Sequence, residues 1–130
     1  MPGLTQIVET LYANFGAGNV GAIAEVIAED IEWIHSGGPD LPYAKVRRGK
    51  AQTMAFFNDL AAAVEISQFA PKSFVEQGNT VVALGHWAGR AKKTGKPFES
   101  EWAMVWGFAG NKVKFYQAFE DTNALAKAFR

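Results

Sequence analysis

His35 is the residue of this chain whose type best suits proton transfer at neutral pH, because an unperturbed imidazole titrates near about 6.5. It lies in the stretch EWIHSGGPDLPY, from Glu32 to Tyr43, two positions after Trp33 and just before a run of turn residues. Side chains alternate along an extended segment, so Trp33 and His35 share a face. The same ring also suits a structural task, bonding a loop carbonyl at a strand end. His86, the second of only two histidines, offers a further polar group or a strand histidine bonded to a neighbour. Tyr43 follows Pro42, and its phenol either donates to a ligand carbonyl or closes over the core. Glu120 ends an extended stretch and either meets a ligand at a cavity mouth or faces water. The two histidines and Glu120 lack the spacing of a helical or hairpin metal motif, so neither a metal nor another cofactor is expected.

The aromatic residues point to the kind of molecule such groups would act on. Trp33, Trp102 and Trp106 fill a core, or they wall a flat apolar cavity, since an indole N–H wants a partner when buried. Trp102, Met104 and Trp106 share one strand face, and Tyr116, Ala118 and Glu120 share another. A cavity of this kind suits a hydrophobic, ring-bearing small molecule. No Gly-rich phosphate cradle joins a strand to a helix. No Gly-x-Ser-x-Gly element supports a serine nucleophile.

Helices and then strands must position these groups. Leu4, Ile7, Val8, Leu11 and Phe15 follow the spacing of one helix face. Asn19 reads as the N-cap of a second helix that turns Ile23, Val26 and Ile27 inward. Ile31 to His35 reads as a short strand, and Ser36 to Asp40 as a turn. Gly49 precedes a third helix, about Ala51 to Val64, with Met54, Phe57, Ala61 and Val64 on one face. Four extended stretches follow: Ile66 to Glu76, broken near Pro71; Thr80 to Ala91; Pro97 to Phe108; and Lys112 to Glu120. A short helix carrying Leu125 and Phe129 closes the chain, capped by Asp121 or Thr122. Helices segregated from an antiparallel sheet make an α+β fold, and a sheet curling around its helices makes a cone with a pocket.

Composition narrows the function classes. The 130 residues suit one domain, 1–130. The charge balance of 13 basic and 13 acidic side chains gives no footprint for nucleic acid or an anionic membrane. Cysteine is absent, which excludes disulfides and a thiolate nucleophile and fits a reducing, cytoplasmic setting. The start, MPGLTQIVET, lacks a leader pattern, and no apolar run is long enough to span a membrane. The runs Arg47-Arg48-Gly49-Lys50 and Arg90 to Lys96 read as solvated basic surface.

Several marks in order, AGNVGAI (17–23), AEDIEW (28–33), Tyr43, Gly49, TGKP (94–97), NKV (111–113) and Asp121-Thr122, resemble the nuclear transport factor 2-like superfamily. The chain is most similar to its SnoaL-like and ketosteroid-isomerase-like branch. The resemblance implies a cone with a deep apolar pocket, often in a homodimer formed through the sheet. It implies inward sets Trp33/His35, Leu84/His86, Trp102/Met104/Trp106 and Tyr116/Ala118/Glu120, with Phe115 and Phe119 outward. Steroid isomerases of this fold use an Asp base with Tyr and protonated Asp donors. By the resemblance the base position falls at His35, the Tyr position at Leu11 with Tyr12 facing elsewhere, and the second Asp near Met104. Two of three are apolar, which argues against that donor pair but leaves other acid–base chemistry open. SnoaL-like cyclases pair an Asp with a His, which here implies Asp121 and His35 as acid–base groups. The expectation is a cofactor-independent isomerase, cyclase or dehydratase on a hydrophobic substrate. The rivals are a non-catalytic binder of a hydrophobic ligand and a protein-interaction module.

Overall fold

The computed structural model describes residues 3–130. Met1 and Pro2, which begin the MPGLTQIVET stretch, lie outside the described residues. Three helices open the chain around two strands: α1 (Leu4–Gly16), α2 (Val20–Glu25), β1 (Ile27–His35), β2 (Val46–Arg48) and α3 (Lys50–Ala63). A meander follows, with β3 (Val64–Gln77), β4 (Thr80–Ala91), β5 (Pro97–Ala109) and β6 (Lys112–Glu120), and α4 (Thr122–Ala128) ends it. The six strands form one open sheet in the order β2-β1-β6-β5-β4-β3. All neighbours run antiparallel except β1 and β6, which are parallel. The result is the expected α+β cone: a curved sheet wrapped on helices, with the core between them. Among the described residues no helix is long and apolar enough to cross a membrane.

Local chemistry explains most boundaries. Asn19 caps α2 through its side-chain oxygen, which accepts from the Ala22 N–H at 3.4 Å. Gly49 opens α3 with φ at +86°, a conformation that disfavours any residue with a Cβ. The turns at Gln77-Gly78-Asn79 and Ala109-Gly110-Asn111 join β3 to β4 and β5 to β6, and Gly78 and Gly110 both take positive φ.

Three expectations are corrected. β1 starts at Ile27 because Ile27 pairs with Val113 of β6 before a register shift brings Glu32 opposite Phe115. β3 is continuous through Pro71. It is an edge strand, where a residue without an N–H costs least, and a register shift follows at Pro71/Ser73. The buried face of α3 is Thr53, Phe56, Leu60 and Ala63, one position from the expected set, because the adjacent pair Phe56-Phe57 fits either face. The short strand β2 was not anticipated, and it carries Arg47 inward.

The register lays the inner face out in rows. Val81, Trp106, Tyr116 and Trp33 form one row across β4, β5, β6 and β1. Ala83, Met104, Ala118 and His35 form the next. Gly85, Trp102 and Glu120 form a third, and Phe69, Trp87 and Ser100 close the wide end.

Candidate functional site

The β4 row positions decide the site. The strand's inward residues are Val81, Ala83, Gly85 and Trp87, and Leu84 is 42 % exposed on the outer face. The expected inward pair Leu84/His86 is therefore corrected. His86 stands on the outer face, its Nδ1 3.6 Å from Glu101 of β5, and takes no part in the cavity. The physical reason is the partner strand. A Cβ on Gly85 would lie 2.3 Å from the Trp102 ring, so the bulk of Trp102 needs an inward glycine opposite it. Small Ala83 and Gly85 hide the true alternation, and pairing large with small across β4 and β5 is the signal that exposes it.

A narrow aromatic cavity of about 60 Å³ lies between the sheet and helices α1 and α3. Trp33, His35, Trp102, Met104, Trp106, Tyr116 and Glu120 line it. Trp33 stacks on Tyr116 with ring centres 3.6 Å apart, and Trp102 stacks on Phe69 at 5.1 Å. Tyr12 also lines the cavity beside Leu11, correcting the expectation that it faces elsewhere. The sheet curves around α1, so two adjacent helix positions both meet it. The Trp106 N–H donates to the Tyr12 hydroxyl at 2.9 Å, and that hydroxyl donates to the Met104 sulfur at 3.2 Å.

Glu120 is the carboxyl that lines this cavity, its side chain 3 % exposed. The Trp87 N–H donates to its Oε1 at 3.0 Å, and the Tyr43 hydroxyl donates to its Oε2 at 3.3 Å. Burial raises the carboxyl to about 7, against the lowering effect of those two bonds. Tyr43 is fully buried and stands outside the cavity lining, with its phenol donating to Glu120.

His35 is 5 % exposed and sits edge-on to Tyr43 and parallel to Phe56. Its Nδ1 lies 3.4 Å from the Ser36 carbonyl and 3.8 Å from Glu120 Oε2, the latter too long for a hydrogen bond. Burial lowers its pKa to about 4, opposed by the Ser36 carbonyl and assisted by the nearby Arg47 charge. At neutral pH the ring is uncharged, so the contact with Glu120 is not an ion pair.

Arg47 went unrecognised in its basic run. It is 3 % exposed, bonds Asp59 at 2.7 Å and the Gln52 carbonyl at 3.3 Å, and lies over the Phe56 ring. A guanidinium, an arene and an imidazole thus stack in turn, and the last two line the cavity. Asp121, expected as an acid–base group, is instead the N-cap of α4. Its exposed side chain accepts from the Ala124 N–H at 3.0 Å. Among the described residues no set of three His, Asp or Glu side chains is arranged to hold a metal.

The SnoaL-like domain family model matches residues 8–116 of this chain. The chain belongs to the SnoaL-like domain family. No curated protein matches it in sequence. An NTF2-like protein from Burkholderia xenovorans LB400 is 37 % identical, with a TM-score of 0.88 over 98 % of this chain and 95 % of that one. An NTF2-like protein from Burkholderia thailandensis E264 is 28 % identical, with a TM-score of 0.90 over 100 % and 99 %. TerC, co-crystallised with polyporic acid, shares the fold at 21 % identity and a TM-score of 0.85, over 97 % of each chain.

Proposed function

We propose that this SnoaL-like protein is a cofactor-independent acid–base enzyme, of isomerase, cyclase or dehydratase type, acting on a flat hydrophobic ring-bearing molecule. Glu120 moves the proton. The observation that carries this reading is a single carboxyl, raised to about 7, inside an aromatic cavity and oriented by two donors. A group titrating near the working pH is both a competent base and a competent acid. As a carboxylate, Glu120 takes a proton from a carbon beside a carbonyl. The C–H pair moves into the ring system to give an enolate. The carboxyl then returns the proton to the same or a conjugated carbon, and no redox partner is needed. Trp87 and Tyr43 hold the carboxylate in place. His35, a weak base at about 4, keeps the adjoining wall neutral. The co-crystallisation of TerC, a protein of the same fold, with polyporic acid supports a small organic ligand.

The test is proton exchange in D2O. Ring ketones such as 1-tetralone and 2-tetralone should gain deuterium beside the carbonyl faster than in buffer. Glu120→Gln should slow this by about 10²- to 10⁴-fold. A protein that binds these ketones but exchanges no proton is a ligand binder, the reading favoured by the otherwise apolar lining.

A further inference from the structure

The chain has four tryptophans, and all four line the one cavity. Their N–H groups divide into two pairs. Trp87 donates to Glu120 and Trp106 donates to Tyr12. Trp33 and Trp102, 2 % and 4 % exposed, have fully enclosed Nε1 atoms with no acceptor in reach. An orphaned buried donor has lost its water and gained no partner, so a native cavity carrying two of them requires an explanation.

Their neighbours locate them. The Tyr12 ring centre is 5.5 Å from that of Trp102 and 5.7 Å from that of Trp106, and Trp106 is 6.0 Å from Trp33. The two orphaned indoles therefore flank the Tyr12–Trp106 hydrogen-bonded pair. The Tyr12 hydroxyl is itself only weakly engaged, since a thioether is a poor acceptor. Trp102 also shares its row with Glu120. Both Glu120 oxygens already accept from Trp87 and Tyr43. The cavity wall thus holds two indole donors that have no partner among the described residues.

We infer that Trp33 and Trp102 are specificity residues, each offering its indole N–H to an acceptor oxygen of the ligand from one side of the Tyr12–Trp106 pair. The ligand class is a flat conjugated molecule bearing a carbonyl or quinone-type oxygen, in preference to the hydrocarbon or amine of the same shape. The occupant lies against the aromatic walls with its oxygen toward one of the two indoles. This deepens the acid–base reading, because the oxygen that accepts from either donor is also one that holds enolate charge.

The experiment uses two probe pairs alike but for the oxygen: acetophenone with ethylbenzene, and 1-tetralone with tetralin. The four indole N–H signals of the 15N-labelled protein are assigned by single Trp→Phe variants. Ketones should move the Trp33 or the Trp102 signal downfield and bind about tenfold more tightly than the hydrocarbons. In Trp33→Phe/Trp102→Phe that preference should shrink to within about twofold while the hydrocarbon affinity holds, which shows an intact cavity. Equal binding of ketone and hydrocarbon overturns the inference. So does a preference that survives the double variant, or ketones that leave both signals unmoved. If the double variant misfolds, the wild-type shifts decide. The acid–base reading fails separately: a protein with the ketone preference but no exchange of deuterium keeps this assignment and loses that one.

Discussion

The indole N–H of Trp87 donates to Glu120 Oε1 at 3.0 Å, across 33 residues of sequence and from a strand that does not pair with β6. β4 and β6 flank β5, and the inward Trp87 reaches past it to the carboxylate. This bond and that of Tyr43 hold one acid in a cavity that otherwise repels charge, and the predictions below concern that arrangement.

The pH dependence of stability should show two opposed limbs. In the fold Glu120 holds its proton up to about 7, against an ordinary value of 4.5, so its contribution is complete below pH 4.5 and is lost as the pH rises through about 7. His35 falls to about 4 from 6.5, so its contribution is complete above pH 6.5 and is lost as the pH falls through about 4. Between pH 4.5 and 6.5 the slopes cancel, and the pair contributes little net change. Glu120→Gln removes one limb, so its stability should climb by roughly 2 kcal/mol across that window. Urea unfolding at several pH values checks it, and a curve parallel to wild type would contradict the raised carboxyl.

Trp87→Phe keeps the ring and deletes the donor. The bond lowers the Glu120 pKa, so its loss should push the carboxyl above about 7, by roughly one unit. The midpoint of the deuterium-exchange rate against pH reads this. An unchanged midpoint would mean that the bond does not tune Glu120.

Arg47→Met keeps much of the volume and removes the charge over Phe56. The partner Asp59 is 41 % exposed and can rehydrate, so the loss should be moderate, roughly 1–3 kcal/mol by thermal or urea unfolding. Arg47 also lowers the His35 pKa, and its removal should raise the titration seen by histidine NMR. Burial is the larger cause, so His35 should stay below 6.5.

The outer face of the sheet carries Val75, Leu84 and Phe119, which are 59, 42 and 46 % exposed. Leu84, Ala103 and Phe119 form one row and Val75, Val82 and Val105 the next. A second copy of the chain on this face should give a mass by light scattering near twice 14.1 kDa. Leu84→Asp with Phe119→Asp should return it to the monomer, and a monomeric wild type at micromolar concentration would rule the dimer out.

Much of the scaffold was legible along the chain. The period of α1, the cap at Asn19, the turns around Gly78 and Gly110, and the bounds of β4 and β6 all follow from neighbours within a few residues. Alternation showed which residues share a strand face, such as Trp33 with His35 and Trp102 with Trp106, and the family resemblance supplied the face that turns to the cavity. β4 was not, because its inward Ala83 and Gly85 are small and its outward Leu84 and His86 look like a buried pair. Their sense is set by Trp102 on the next strand.

The sequence alone therefore determined the helices, the meander and which aromatic residues share a strand face, whose signals are local and periodic. Only the tertiary structure decided the chemistry. It turned Asp121 outward as a cap, bonded Tyr43 to Glu120, moved His86 to the outer face and buried Arg47. It made Glu120 the group poised near neutrality. A pKa depends on desolvation and on partners brought from distant positions, and no stretch of sequence carries either.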